Sequence, residues 1–460
     1  MPACSPLRRK LPEEGAVQPT ESTRSQRLLQ RKRDLAGEIL ERLGVGAAPV
    51  GNCLASGRGN VAGSAAVEGG ALERLRQAGR ERFLEFGAPV RQDEYWKYTD
   101  PAPLLGEGAP ASASEPQAES QVGGAAVVRV TVEDGVPGVA GALPDGLEVV
   151  PLGDPRVEEW FGASAFETQL AVDSVQRPLA ALNAAACDGG LAVRASGEVK
   201  GVLHLVDRSP GRSGMAFGRC LVLVEAGAAL EMLVDDPADG VGNSVTLAQV
   251  AEAGRLDHVR LQVGKGRRDC AAMFVRLERG ASFAGFTLSA DGDLCRNETV
   301  LHLDGEGASG TVACGMLGSD AGRQDATVLV VHSAPGCESR QVLRGAFRDR
   351  SAGVFQGKIL VERPAQKTDG YQISQTLLLD ERAEFNAKPE LEIYADDVKC
   401  SHGSTTGALD PDALFYLRSR GLGRQQAETL LIEAFLEEAL QEIRSEGGLA
   451  AARAATAAWM

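Results

Sequence analysis

Within KPELEIYADDVKCSHGSTTG, Lys388 to Gly407, a thiol and an imidazole stand two residues apart at Cys400 and His402. On an extended chain, residues i and i+2 project to one face. Tyr394, Asp396, Val398, Cys400 and His402 therefore share a side for as long as the strand continues. A soft thiolate beside a borderline imidazole suits iron, zinc or a sulfur species. Two ligands do not complete a coordination sphere, so spacing alone leaves a second reading open: a buried thiol beside a histidine that caps the turn near Gly403.

Other chemistry is weaker in the sequence. GEGASG, Gly305 to Gly310, matches the glycine pattern of dinucleotide-binding loops, but TVACGML follows it and reads as a strand. Without a helix to aim amides and a dipole at a pyrophosphate, a turn is the better reading. The chain holds no phosphate-cradling GxxxxGK[ST] loop, no GxSxG elbow and no HExxH zinc helix, so ATP hydrolysis through its own P-loop is not expected. The carboxylate pairs Asp291/Asp293 and Asp396/Asp397 could act as a general acid and base on a glycan. Aromatic platforms and a secretion signal are missing, which favours solvated surface charge.

The elements that must position Cys400 and His402 follow from periodicity. Leu28, Leu29, Leu35, Ile39, Leu40 and Leu43 recur at helical spacing and stop before Gly44, and ALERLRQAGRERFLEFG repeats the pattern up to Gly87. From about Ala125 the period changes to short β-branched runs such as AVVRVTVEDG and ATVLVVHSAPG. Turn glycines at 227, 254, 280, 307 and 336 lie 27, 26, 27 and 29 residues apart. That repeat predicts a solenoid in which each coil covers the apolar face of its neighbour. After Gly407 helices return: Asp410 as N-cap with Pro411 at the first position and Gly421 as the stop, then a helix from about Arg424 to Arg444. Its expected apolar side is Ala427, Leu430, Leu431, Ala434, Phe435 and Leu440, with Glu428, Glu437, Gln441 and Glu442 turned elsewhere. The plan is a disordered N-terminus over 1–24, a helical region with Gly/Ala-rich linkers over 25–120, a β core over 125–400 and a helical region over 401–460.

Composition agrees with a thin stacked core: 460 residues, 55 of them Gly, and only 5% aromatic. The net charge of -15 disfavours a nucleic-acid backbone or an anionic membrane as the ligand. No apolar run reaches transmembrane length, and the N-terminus lacks the apolar stretch of an export signal. The nine cysteines are scattered without CxxC pairs, as expected of reduced thiols in a cytoplasmic protein, most of them small buried hydrophobes. The Asn297-Glu298-Thr299 sequon then carries no glycosylation.

KPELEIYADDVKCSHGSTTG followed by ALDPDALFYLRSRGL closely resembles the C-terminal signature of the SufB/SufD family, in its D-type wording, from the SufBCD iron-sulfur cluster assembly machinery. DEYWKYTDPAPL resembles the family's N-terminal W-K-Y-T segment, and GVFQGKILVERPAQKTDGYQISQTLLL its late β region, so the likeness covers roughly residues 70 to 445 in the same order. It implies a right-handed parallel β-helix between helical ends, a heterodimer with a SufB-like paralogue, a SufC-like ATPase and a sulfur donor system acting on the complex. The resemblance also implies that His402, with Cys400 close to it, holds iron or a nascent iron-sulfur cluster at the subunit interface, where the paralogue completes the coordination. Leu414, Tyr416, Leu417, Leu430, Leu431 and Phe435 are the residues expected to dock the ATPase or pack on the solenoid end. No nucleotide is bound by this chain itself, and it is expected to be a scaffold, not an enzyme. The other eight cysteines receive no transfer role. Two alternatives stand beside this: a secreted-type carbohydrate-active β-helix protein, and the B-type paralogue.

Overall fold

The computed structural model describes residues 21–45, 71–106, 127–133, 136–161, 177–207, 214–235 and 240–460. Of the stretch 1–24 expected to be disordered, residues 1–20 fall outside them, as do the low-complexity linkers, while 21–24 belong to a helix. Helices α1 (Glu21–Arg42), α2 (Ala71–Phe86) and α3 (Ala102–Leu105) precede strands β1 (Val127–Glu133), β2 (Val136–Ala140) and β3 (Leu147–Pro151). Two short helices, α4 (Pro155–Phe161) and α5 (Pro178–Ala186), sit inside the region expected to be purely β. The solenoid then runs through β4 (Leu191–Ala195), β5 (Glu198–Asp207), β6 (Met215–Val224), β7 (Ala229–Asp235), β8 (Gly240–Val250), β9 (Arg255–Val263), β10 (Arg267–Leu277) and β11 (Ser282–Ala290). It continues through β12 (Leu294–Leu303), β13 (Ser309–Gly318), β14 (Arg323–His332), β15 (Glu338–Phe347), β16 (Ala352–Val361), β17 (Thr368–Leu378), β18 (Glu384–Ile393) and β19 (Val398–Gly407). The last strand thus passes the boundary expected at residue 400. Helices α6 (Pro411–Ser419), α7 (Arg424–Leu440) and α8 (Glu446–Trp459) close the chain.

From β4 onward each strand pairs in parallel with the strand two along, so the chain alternates between a ten-stranded and a nine-stranded sheet. This is a parallel β-solenoid, the architecture that the turn spacing predicts. Its coils are stacked by a ladder in the turns. The backbone N–H groups of Gly227, Ala253, Gly280, Gly307, Gly336 and Lys367 donate to the carbonyls of Glu252, Arg279, Glu306, Pro335, Gln366 and Asp397, each one coil further on. All six donors have positive φ, which glycine adopts at no steric cost. In EAGRL the left-handed position belongs to Ala253, not to Gly254.

Apolar side chains such as Phe283, Leu301, Val330, Leu343 and Phe355 fill the lumen between the sheets. Both outer faces are also covered near the middle. Helices α1, α2 and α5 pack on the nine-stranded sheet through residues including Leu75, Phe83 and Leu179. Helices α7 and α8 pack on the ten-stranded sheet through Ile432, Leu436 and Trp459. Burial on both faces is why these strands read as continuous apolar runs and not as alternation.

Segment 94–100 straps the outer face of the nine-stranded sheet across four coils. Trp96 lies over the Arg296 guanidinium, 3.9 Å from ring centroid to Cζ. The Thr99 hydroxyl donates to Asp325, Arg323 donates to the Tyr98 carbonyl at 2.9 Å, Gln356 to the Tyr95 carbonyl at 3.1 Å, and Lys388 pairs with Glu94 at 2.8 Å.

Close stacking makes one glycine indispensable. A Cβ on Gly305 would run into the backbone of Glu278 and Arg279 in the preceding coil. Gly305→Ala is expected to lower unfolding stability by about 1–3 kcal/mol, as overpacking against a rigid neighbour does. Urea titration checks this, and an unchanged midpoint would contradict it. The GEGASG stretch is accordingly a turn between β12 and β13.

Candidate functional site

The site lies at the C-terminal end of the solenoid. Strand β17 pairs with β19, and β16 with β18; β19 and β18 are the last strands of their sheets. Among the described residues, the outer edges of both are unpaired. The two edges differ in character. β18, EFNAKPELEI, carries Pro389 and four charges, the usual guards of an exposed edge. β19, VKCSHGSTTG, carries Lys399 as its only charge and no proline.

On β19, register aligns Cys400 with Gly370, His402 with Gln372 and Ser404 with Ser374. The Ser374 hydroxyl donates to Ser404 at 3.0 Å. Val398 and Cys400 pack against a small apolar cluster of Ile359, Val361, Ala365 and Ala395 at the end of the lumen. The expected common face is therefore correct for Val398, Cys400 and His402 but does not extend to Tyr394 and Asp396. Residues 394–397 form the corner between β18 and β19, fixed where Tyr394 N–H donates to Val361 and Lys367 N–H to Asp397.

Cys400 is half-buried and His402 exposed. Burial pushes the Cys400 thiol up, offset by the Gly370 backbone amide, with Asp369 adding to the rise. Such a thiol stays protonated at neutral pH until a metal displaces the proton. Ile393, the last residue of β18, and Tyr394, the first of the corner, are exposed. No group of three or more His, Cys, Asp and Glu able to hold a metal comes together among the described residues. The structure thus brings Cys400 and His402 onto adjacent same-face positions at an open edge.

Beneath them lies a feature that sequence reading missed. Gln372 is fully buried, and neither its Oε1 nor its Nε2 has a partner among the described residues. Nothing in GYQISQTLLL distinguishes it from any polar strand residue.

The six residues expected at a docking or packing surface divide. Tyr416 and Leu430 are exposed, while Leu414, Leu417, Leu431 and Phe435 are half-buried. Phe435 faces the solenoid, with the Arg344 guanidinium 5.4 Å from its ring. The buried stripe of α7 is Ala427, Ile432, Leu436, Ala439 and Leu440, rotated from the expected one because it seats on the ten-stranded sheet. Leu430 and Ala434 point to solvent instead. Helix α6 begins as expected, with Asp410 capping the amides of Asp412 and Ala413. It buries no residue and leaves Phe415 74% exposed, an aromatic that was not singled out. An aromatic pair on a short polar helix was the available signal.

The remaining candidates are structural. Six of the seven described cysteines are buried and the seventh, Cys400, is half-buried; Cys4 and Cys53 lie outside the described residues. Asp291 accepts from Ser319 at 2.6 Å and from Trp459 at 2.9 Å, a turn role. No described helix is long and apolar enough to cross a membrane.

Residues 207–435 match the family model for the SUF system FeS cluster assembly SufBD core domain. The chain is 30% identical to the iron-sulfur cluster assembly protein SufD of Escherichia coli strain K12, over 80% of this chain and 88% of that one. It is 25% identical to an iron-sulfur cluster assembly SufBD family protein of Mycobacterium tuberculosis, over 83% and 91%. Over a shorter stretch, 35% of this chain, it is 32% identical to SufD of Bacillus subtilis strain 168.

Proposed function

The chain belongs to the SufBD family of iron-sulfur cluster assembly proteins, and from that premise we propose that it is a non-ATPase scaffold subunit that pairs with a SufB-like paralogue. The nascent cluster is the cargo, formed between the two subunits, with Cys400 and His402 as this chain's share of the ligands. One observation carries the reading: a thiol and an imidazole stand on one face of a terminal strand that has no proline and a single charge, against the proline and four charges of its neighbour. Such an edge suits strand addition by a partner. Two donors leave a four-coordinate ion two ligands short, and a partner at that edge can supply them. A metal there would be held by the thiolate, the thiol proton being released to water.

Hydrolysis of ATP then belongs to a separate SufC-like chain, and a sulfur donor acts on the assembled complex. The exposed aromatics of α6 support it as the ATPase dock. Arg420 holds Tyr416 in place, donating to its hydroxyl at 3.2 Å. Co-expression with the paralogue and the ATPase is expected to yield one stable complex; a chain that purifies free of both would refute the assignment. Phe415→Ala is expected to weaken ATPase retention by about 2 kcal/mol, the scale of an interface anchor, roughly 30-fold. Thermal stability should stay unchanged, because Phe415 makes no core contact. Retention equal to wild type would move the dock elsewhere.

A further inference from the structure

The lumen beneath His402 contains amide groups that nothing described satisfies. Gln341, Gln372 and His402 occupy successive rungs of one column in the ten-stranded sheet. Gln341 and Gln372 are both 0% exposed. Both polar atoms of the Gln372 amide, and Oε1 of Gln341, have no partner among the described residues. Across the lumen stands Gly357, where a methyl group would sit 2.5 Å from Gln372 Nε2 and 2.7 Å from Gln341 Oε1. The missing side chain of Gly357 makes room for the two amides.

An unsatisfied buried amide is costly, and an apolar residue of similar size would occupy the same space without that cost. The geometry points to Gln372 as the positioning residue of His402: its amide bonds one imidazole nitrogen, leaving the other for the cargo. Registered side chains on neighbouring strands stand about 4.8 Å apart, within the swing of a glutamine. In the structure the amide rests over Gly357 and makes no bond among the described residues. Ligand histidines fix their second nitrogen to such a partner, whose loss costs about 10–100-fold in metal affinity. This inference rests on His402 being a ligand.

The test uses the purified full chain, titrated with Co2+ alone and followed by visible absorption. Gln372→Leu is expected to weaken Co2+ binding about tenfold or more, while its urea midpoint holds or rises because an unpaired amide has been removed. In a His402→Ala background the same substitution should change nothing. Histidine 15N spectra of the Zn2+-loaded chain should show one His402 tautomer in wild type and a mixture in Gln372→Leu. Wild-type cobalt affinity with a single tautomer in Gln372→Leu overturns the inference. A loss of stability in that variant also overturns it, by making Gln372 a packing residue. If His402→Ala binds Co2+ as wild type does, the ligand reading fails on its own, and the tautomer comparison still decides whether Gln372 bonds His402.

Discussion

Asp325→Ala is expected to cost about 3–5 kcal/mol of unfolding stability, the range for removing one partner of a buried ion pair. Asp325 and Arg296 are both 0% exposed and bond at 2.8 Å. Arg296 also bonds Glu298 at 2.9 Å, and Arg177 lies 3.7 Å from the same carboxylate. The set balances two guanidiniums against two carboxylates beneath the Trp96 ring. Burial pushes the Asp325 carboxyl up against the pull of Arg296. At Glu298, burial is outweighed by Arg177 and Arg296, and the carboxyl sits below its ordinary value. Removing Asp325 leaves the buried Arg296 charge dependent on Glu298, which Arg177 already shares. It also removes the acceptor of Thr99, so the 94–100 strap should loosen and become an early site of limited proteolysis. A urea unfolding curve within 1 kcal/mol of wild type, with the strap still resistant, would mean that the charge network is not what anchors the N-terminal region.

That network shows where sequence reading stops. Trp96 and Arg296 belong to different regions of the chain, and only the stacking of coils under the strap brings them together. The solenoid itself was legible because its signal is local: a left-handed turn residue must recur once per coil. Even there, Ala253 takes the position that the spacing assigned to its neighbour Gly254. The apolar stripe of α7 was misjudged because α7 has apolar residues on more than one side, and the sheet beneath it selects which ones are buried. Cys400 and His402 were read onto one face correctly, since strand period alone decides it. The corner at 394–397 was not visible, because YADD carries neither glycine nor proline. Family membership, not the fold, displaces the carbohydrate-active alternative, as a solenoid hosts many functions.

His402→Ala is expected to reduce cluster formation on the reconstituted complex at least tenfold, the scale of losing a group that holds a metal in place, with the complex intact. The imidazole is exposed on a terminal strand and makes no hydrogen bond or ion pair among the described residues. Its truncation should therefore move stability by less than about 0.5 kcal/mol. Loss of cluster formation without loss of folding is the signature of a ligand, whereas a residue with a structural role would produce the reverse. Cys400→Ser separates the two donors. The serine fits the half-buried position but offers a hard oxygen where the cluster needs a soft thiolate. If His402 alone anchors the cargo, Cys400→Ser retains most of the yield; if both do, each variant fails alone and their combination is no worse. The measurement is the visible absorption of the cluster after adding iron, a sulfur donor and ATP to complex purified with each variant. Wild-type absorption from His402→Ala would make His402 an ordinary exposed residue of β19 and remove this chain's half of the site.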